Sequence, residues 1–273
     1  MEYLYHYTKI DALASILQNK TIRFSSLDRM DDKQENQSGD IKNLGRFIYV
    51  SSWTDEKRES IPMWNMYASI ESGVRIRLPK QPFMKHKISI EELKNIFKAP
   101  VTSNGNGNGL ETIIPLQEML TEGFVSSQAM LNEVPLFPVE YTDDVSKLYP
   151  KVYKPEEADR YSINFSLIGK CKNKSWEFQK EWRYWLQFLP LDINQNPEIS
   201  EQIANIMADK IRRGVCAQPF PYYDMKISDE AFKEMQIVLS PKVSAGYETI
   251  VKLLVKEFNP TADLRDSKLK NLL

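Results

Sequence analysis

The sequence predicts an α+β protein, and three observations carry that reading. Runs of β-rich or alternating residues recur at Tyr3–Tyr7, Thr21–Ser25, Phe47–Ser52, Val74–Leu78, Trp182–Leu186 and Gln236–Leu239. Helical spacing of apolar residues falls between some of them, most clearly from Tyr247 to Phe258. The two kinds of element do not alternate as steady βαβ units, which disfavours a doubly wound parallel sheet. With 273 residues, 42% of them hydrophobic and 27% charged, the chain has enough apolar material to bury a sizeable core as one domain over 1–273.

Taken in order, Tyr3–Tyr7 is a first strand, and Ile10, Leu13, Ile16 and Leu17 mark a helix over 9–19. Thr8 and Asp11, three residues apart, resemble a capping box at its start. Thr21–Ser25 is a second strand. The polar stretch Asp28–Gly39 reads as a loop with little to bury. Phe47–Ser52 is a third strand, and Pro62 is placed to open a short helix carrying Met63, Trp64, Tyr67 and Ala68. In Val74–Leu78 the apolar residues alternate with Arg75 and Arg77, so the strand has one apolar and one basic face.

Alternating Asn and Gly over Ser103–Gly109 break regular structure and suggest a mobile insertion. Pro135, Pro138, Pro150 and Pro155 surround a strand at Val139–Tyr141, and helical spacing returns near 156–168. Ile199, Ile203, Ile206 and Met207 mark another helix. The last helix places Tyr247, Ile250, Val251, Leu254, Val255 and Phe258 on one stripe and stops at Asn259-Pro260. No repeat period is visible.

Composition excludes several functions. The two cysteines, Cys171 and Cys216, form no C-x-x-C pair and there are only two histidines, so no zinc site is expected. Neither histidine accompanies a G-x-S-x-G, and neither a phosphate-cradling P-loop nor a G-x-G-x-x-G is present. The N-terminus lacks the pattern of a signal peptide and no stretch is long enough to span a membrane, so a cytoplasmic protein without membrane association is expected. Lys+Arg 36 against Asp+Glu 37 gives a net charge of −1, so any nucleic-acid contact must come from a local patch.

Four places carry polar chemistry. His6 lies on the first strand; Ser51-Ser52-Trp53-Thr54 ends the third; Trp64 and Tyr67 share a helix face; and Glu181 and Arg183 share one face of a late strand with Trp182 on the other. Each has a plain structural reading: a core histidine, hydroxyls capping a turn, core aromatics, and an ion pair on a solvated face. Lys170, Lys172 and Lys174, Arg212-Arg213, and the Arg75/Arg77 face are patches that either follow phosphates or simply face water.

Read together, Tyr5-His6-Tyr7-Thr8, Arg23-Phe24-Ser25-Ser26, Ser51-Ser52-Trp53, Pro62-Met63-Trp64 with Tyr67-Ala68, Gly73-Val74, Trp176 with Glu181-Trp182-Arg183, and Ile237–Pro241 resemble the bacterial domain of unknown function 2971 over roughly 3–257. The family's Asn-Asp-Pro-Phe/Leu-Glu is only partly matched by Met30-Asp31-Asp32-Lys33-Gln34-Glu35, which leaves Asp31, Asp32 and Glu35 without an assigned role. The stretch 82–150 matches little and reads as an insertion. The family in turn resembles ADP-ribosyltransferases, especially DarT-like toxins that modify nucleic acid.

That resemblance implies an ADP-ribosyltransferase-like mixed sheet with flanking helices, NAD as co-substrate and no metal. It implies Glu181 and Arg183 as catalytic residues, and His6, Tyr7, Thr8, Ser25, Ser51, Trp53 and Tyr67 as the NAD-binding set. His6 and Thr8 would orient the adenosine ribose or pyrophosphate, and Trp53 or Tyr67 would stack on nicotinamide. It further implies RNA or single-stranded DNA as acceptor, an antitoxin partner, and a role in a toxin–antitoxin or phage-defence system. A binding module without catalysis and a protein-directed transferase are the alternatives. On the first reading His6, residues 51–54, Tyr67 and Glu181 converge on one cleft.

Overall fold

A computed structural model describes residues 2–97, 110–126, 128–129, 131–155, 161–191 and 201–273. Its centre is a nine-stranded mixed sheet built from β1 (Tyr3–Lys9), β2 (Thr21–Ser26), β3 (Ile48–Thr54), β4 (Gly73–Pro79), β5 (Leu136–Pro138), β6 (Glu181–Gln187), β7 (Tyr222–Lys226), β8 (Gln236–Leu239) and β9 (Asp263–Arg265). The path runs β7-β2-β3-β1-β4-β8-β9, and β6 pairs with β3 along its whole length and then with β5. Neighbours are antiparallel except β8 and β9.

Strand register sorts the side chains into two faces. Pairing of Leu4 with Leu78, His6 with Ile76 and Thr8 with Val74 directs these residues to one side. There they meet α1 (Ile10–Asn19) and α2 (Ala245–Phe258) in the largest core, with Leu13, Leu17, Phe24, Tyr184, Ile237 and Val251. The opposite side carries two smaller cores. One gathers Leu27, Phe47, Val50, Phe165 and Trp185 near β3 and β6; the other gathers Tyr7, Trp64, Ala68 and Val238 near β1, β4 and β8. Segment 82–150 is built into the main core, because Phe83, Ile113, Ile114, Phe124 and Val134 belong to it.

A gap in the sheet positions the site. β2 pairs with the early part of β3 through Ser25–Val50 and Ser26–Tyr49, whereas β1 meets the far end of the same edge through one register pair, Tyr5–Thr54. Between these contacts the edge at Ser51–Trp53 has no strand partner among the described residues. β1 and β2 therefore diverge there and leave a fork.

Several local expectations are corrected. Thr8 continues β1, Lys9 takes the extended position before α1 and no side chain caps that helix, so the Thr8/Asp11 box does not form. Val139 separates two short strands, Leu136–Pro138 and Glu140–Thr142, because its amide turns to the Glu181 carbonyl and the next amide to Lys170. In the helix expected near 156–168, Tyr161–Ile163 is a strand and Phe165–Leu167 a 3-10 turn; 156–160 lie outside the described residues. A helix does span Glu201–Arg212, while Ile199 and the 103–109 segment lie outside the described residues. Asp28–Gly39 is irregular after a 3-10 turn at Leu27–Arg29, but it is not free of buried groups: Asp32 and Glu35 are both buried.

Candidate active site

A cleft of about 250 Å³ lies at the fork, on the side of the sheet between the two smaller cores. β1 contributes Tyr5, His6 and Tyr7, β2 contributes Arg23 and Ser25, and β3 contributes Val50 to Trp53. Segment 29–35 closes one wall. Met63, Tyr67, Lys172, Trp176, Gln179 and Glu181 complete the lining. His6, Ser51, Trp53, Tyr67 and Glu181 thus converge although they are far apart in sequence.

Glu181 is the first residue of β6. The 3-10 helix Lys174–Gln179 ends at Lys180, which adopts a left-handed conformation (φ 44°) and turns the chain into the strand. The Thr54 hydroxyl donates to the Lys180 carbonyl at 2.9 Å, and the Glu181 amide donates to the Tyr141 hydroxyl at 2.8 Å. These contacts fix the backbone. The carboxylate accepts from Arg183 Nε at Oε1 (2.9 Å) and is ion-paired with Arg183 Nη2 at Oε1 (2.7 Å) and with Lys172 at Oε2 (2.7 Å).

Arg183 has no exposed surface. Its Nη1 also donates to the Gly169 carbonyl at 2.6 Å and pairs with Glu35 at 2.8 Å. Lys172 donates to Gln179 Oε1 at 3.0 Å and sits 3.7 Å from Glu35 Oε1. Two acids and two bases are therefore buried together, neutral as a set. Such a cluster is costly to desolvate, and apolar packing of the same volume is often as stable or more so; its place on a cleft wall marks a candidate functional site.

Burial acts to raise the Glu181 carboxyl, but the charges of Arg183 and Lys172, aided by the Ser52 hydroxyl, outweigh it and hold the group at about 2. Glu35 is drawn the other way: burial raises it, and Arg183 and Lys172 offset this only in part. Burial, reinforced by Asp31, Glu181 and Glu35, pushes the Tyr67 phenol up to about 12. Burial lowers His6 against a smaller opposing effect of its bond to Ser52, so the ring is neutral. His6 Nδ1 lies 2.8 Å from the Ser52 carbonyl, which can only accept, so Nδ1 carries the proton. This bond occupies the strand edge left open by the fork.

Tyr67 stands on an unusual element. Ile61–Met63 begin as an α-turn capped by Ser60 and continue as a π-helix over Trp64–Ala68, a form concentrated at functional sites. Tyr67 faces the cleft and its hydroxyl accepts from Gln179 Nε2, while Trp64 packs edge-on against Tyr7. The Tyr7 hydroxyl accepts from the Ser60 amide at 2.9 Å.

Several predicted roles do not survive this geometry. Thr8 is buried on the main-core side of β1, out of the cleft, because residues two apart on a strand share a face. His6 shares that face and reaches the cleft only because the sheet is split beside it. Trp53 lines the cleft but is 2% exposed, with its ring against His6 and Tyr184 and its Nε1 donating to Ser51. Its faces are taken, which leaves the partly exposed Tyr67 and Trp176 to stack on a ligand. Arg183 lies behind Glu181 without lining the cleft, so it is a positioning residue.

The basic patches also change. Lys172 is buried in the site, Lys174 pairs with Asp143, Arg212 and Arg213 pair with Asp209, and Arg75 is buried over Tyr5 and Tyr7. Glu35, Lys172 and Gln179 are among the site residues that the sequence left unassigned or misassigned. The partial motif ending at Glu35 was the available signal for the first; nothing local marks the other two.

Among the described residues no three His, Cys, Asp or Glu side chains are grouped to hold a metal ion, and no helix is long and apolar enough to cross a membrane. Compared with protein-family models, curated proteins and solved structures, the chain matches none.

Proposed function

We propose that this chain is an NAD-dependent ADP-ribosyltransferase that works on a nucleic-acid acceptor, RNA or single-stranded DNA. The observation that carries the proposal is an ionised carboxylate, Glu181, on the wall of a cleft that also presents two partly exposed aromatic rings, Tyr67 and Trp176. Breaking the C1′–N bond sends the electron pair to nicotinamide and leaves an oxocarbenium-like ribose, as in glycoside cleavage. A fixed negative charge beside the ribose stabilises that state. With its carboxyl held at about 2, Glu181 serves as this charge and as acceptor from a ribose hydroxyl. The acceptor nucleophile then bonds to C1′ and its proton leaves to water.

About 250 Å³ suits nicotinamide and its ribose, with the rest of the dinucleotide lying over the mouth. Exposed Arg23 and Arg29 line that mouth and are placed for pyrophosphate or acceptor phosphates. Arg23 donates to both oxygens of Asp224 and stacks 3.6 Å from the ring centre of Tyr222, which is 44% exposed and offers its other face to a base. The toxin–antitoxin or phage-defence role rests on the family resemblance alone.

One observation favours a second reading, a binding module without catalysis: both Glu181 oxygens are already engaged by cations. Incubation of the protein and cell extract with adenylate-labelled NAD separates the readings. Label that resists protease and is released by nuclease is the expected result. Label removed by protease instead assigns a protein acceptor, and no macromolecular label supports the binding module.

A further inference from the structure

Lys172 sits between two carboxylates in a way the transferase reading does not by itself require. It is 95% buried, on the short strand Cys171–Asn173, and its ammonium has three N–H groups to place. One goes to Gln179 Oε1 at 3.0 Å, and the ammonium is ion-paired with Glu181 Oε2 at 2.7 Å. Glu35 Oε1 lies 3.7 Å away, within ion-pair range but beyond hydrogen-bond distance. Trp176 packs 5.6 Å from the ammonium, ring centre to nitrogen, and limits its escape toward water.

The two Glu181 oxygens are not equivalent. Oε1 is turned to Arg183, which lies behind the cleft, and Oε2 to Lys172, which lines it. A hydroxyl that approaches Glu181 from the cleft meets Oε2 beside the Lys172 ammonium, which crowds that approach. Displacing a buried ammonium without a new partner would cost several kcal/mol. A shift of about 1 Å toward Glu35 supplies that partner at the distance of a charge-assisted hydrogen bond.

We propose that Lys172 is a two-position counter-ion: it holds Glu181 in the free protein and moves onto Glu35 when the vicinal diol of a ribose takes its place at Oε2. Glu35 is then a positioning residue that acts through Lys172, and the ligand feature being sensed is a pair of adjacent hydroxyls. The ribose part of this inference rests on the NAD reading; the sharing of Lys172 by two carboxylates does not.

The test has two arms. In the free protein, the side-chain ¹⁵Nζ resonance of Lys172, assigned by its absence in Lys172→Gln, should shift in both Glu181→Gln and Glu35→Gln. A resonance unmoved by Glu35→Gln overturns the sharing. In the second arm, calorimetry with ADP-ribose as the probe should show about tenfold weaker binding to Glu35→Gln, recovery in Glu35→Asp, and no further loss when Glu35→Gln is added to Lys172→Gln. Equal weakening in both backgrounds overturns the two-position mechanism, because Glu35 would then act independently of the lysine. Should Glu35→Gln fail to fold, Glu35→Asp alone must bind within a few fold of wild type while still moving the Lys172 resonance. A wild type that binds no ADP-ribose overturns the ribose reading, and the first arm still decides whether the lysine is shared.

Discussion

At the scale of single residues, Glu181 carries a structural charge beside the chemical role proposed for it, and acid isolates the structural part. Its carboxyl has an ordinary value of 4.5 and is held at about 2 in the fold. The folded value is the lower one, so the group contributes stability that is fully present above about 4.5 and is lost as pH falls toward 2. A gap of that size corresponds to about 3 kcal/mol at neutral pH. Glu35 works in the opposite sense, since its folded value is raised and its ionisation opposes folding. Glu181→Gln should therefore lose about 3 kcal/mol at pH 7, and its deficit against wild type should shrink as pH is lowered from about 4.5 to 2. Urea midpoints across that range check this. A deficit independent of pH would mean that the charge of Glu181 does not support the fold.

The same four side chains show what a sequence reveals at this scale and what it conceals. Glu181 and Arg183 were legible because alternation along a strand forces them onto one face, and they do share it. Lys172 was not, because Lys-x-Lys-x-Lys reads as solvated surface, and only the return of Glu181 and Glu35 from distant segments buries its middle member. Glu35 stands in a stretch without periodicity. Its burial follows from pairing with Arg183, 148 positions further on (183 − 35).

At the scale of elements, the cleft wall depends on a close approach that only glycine permits. A Cβ on Gly73 would lie 2.3 Å from the Ala68 carbonyl oxygen and 2.5 Å from the Ala68 Cβ, so β4 can start where it does only without one. Ala68 ends the π-helix, and Ser69 after it holds φ at 84°, a conformation with little room to adjust. Gly73→Ala should cost about 1–3 kcal/mol by overpacking, displace Tyr67 from Gln179 and weaken ligand binding with it. Urea midpoints and calorimetry with ADP-ribose report both effects. A variant of wild-type stability would show that the turn has slack.

The other side of this element is anchored by buried Glu59. It accepts from Trp64 Nε1 at 3.1 Å and from the Lys268 amide at 2.8 Å, which ties the C-terminal segment to the cleft wall. Strand β4 and helix α2 were legible from their apolar periodicities, and β6 and β8 as short runs of β-rich residues. The π-helix was not, since its i+5 register arises from packing against Gly73 and Tyr7 rather than from spacing. The same holds for Thr8, whose capping signal yielded to the ladder with Val74.

At the scale of the whole molecule, the order of motifs along the chain carried more information than any motif alone. Each is a few residues long, yet strand order brings β1, β2, β3 and β6 together and so gathers the motifs on those strands at one fork, while Gly73-Val74 and Ile237–Pro241 lie outside it. What the order did not reveal is the fork itself, which depends on β1 and β2 sharing one edge of β3 without filling it. From that gap follow the cleft and the access of His6 to it from an otherwise buried face.

The transferase proposal requires this cleft to stabilise a ribosyl cation derived from NAD. Release of nicotinamide from NAD by the purified protein, in wild type and in Glu181→Gln shown by circular dichroism to be folded, tests it most directly. Wild type should release nicotinamide, and the variant should be slower by about 10²-fold or more, chiefly in kcat rather than KM. Equal rates in the two proteins, or no release by wild type with its acceptor supplied, would contradict it.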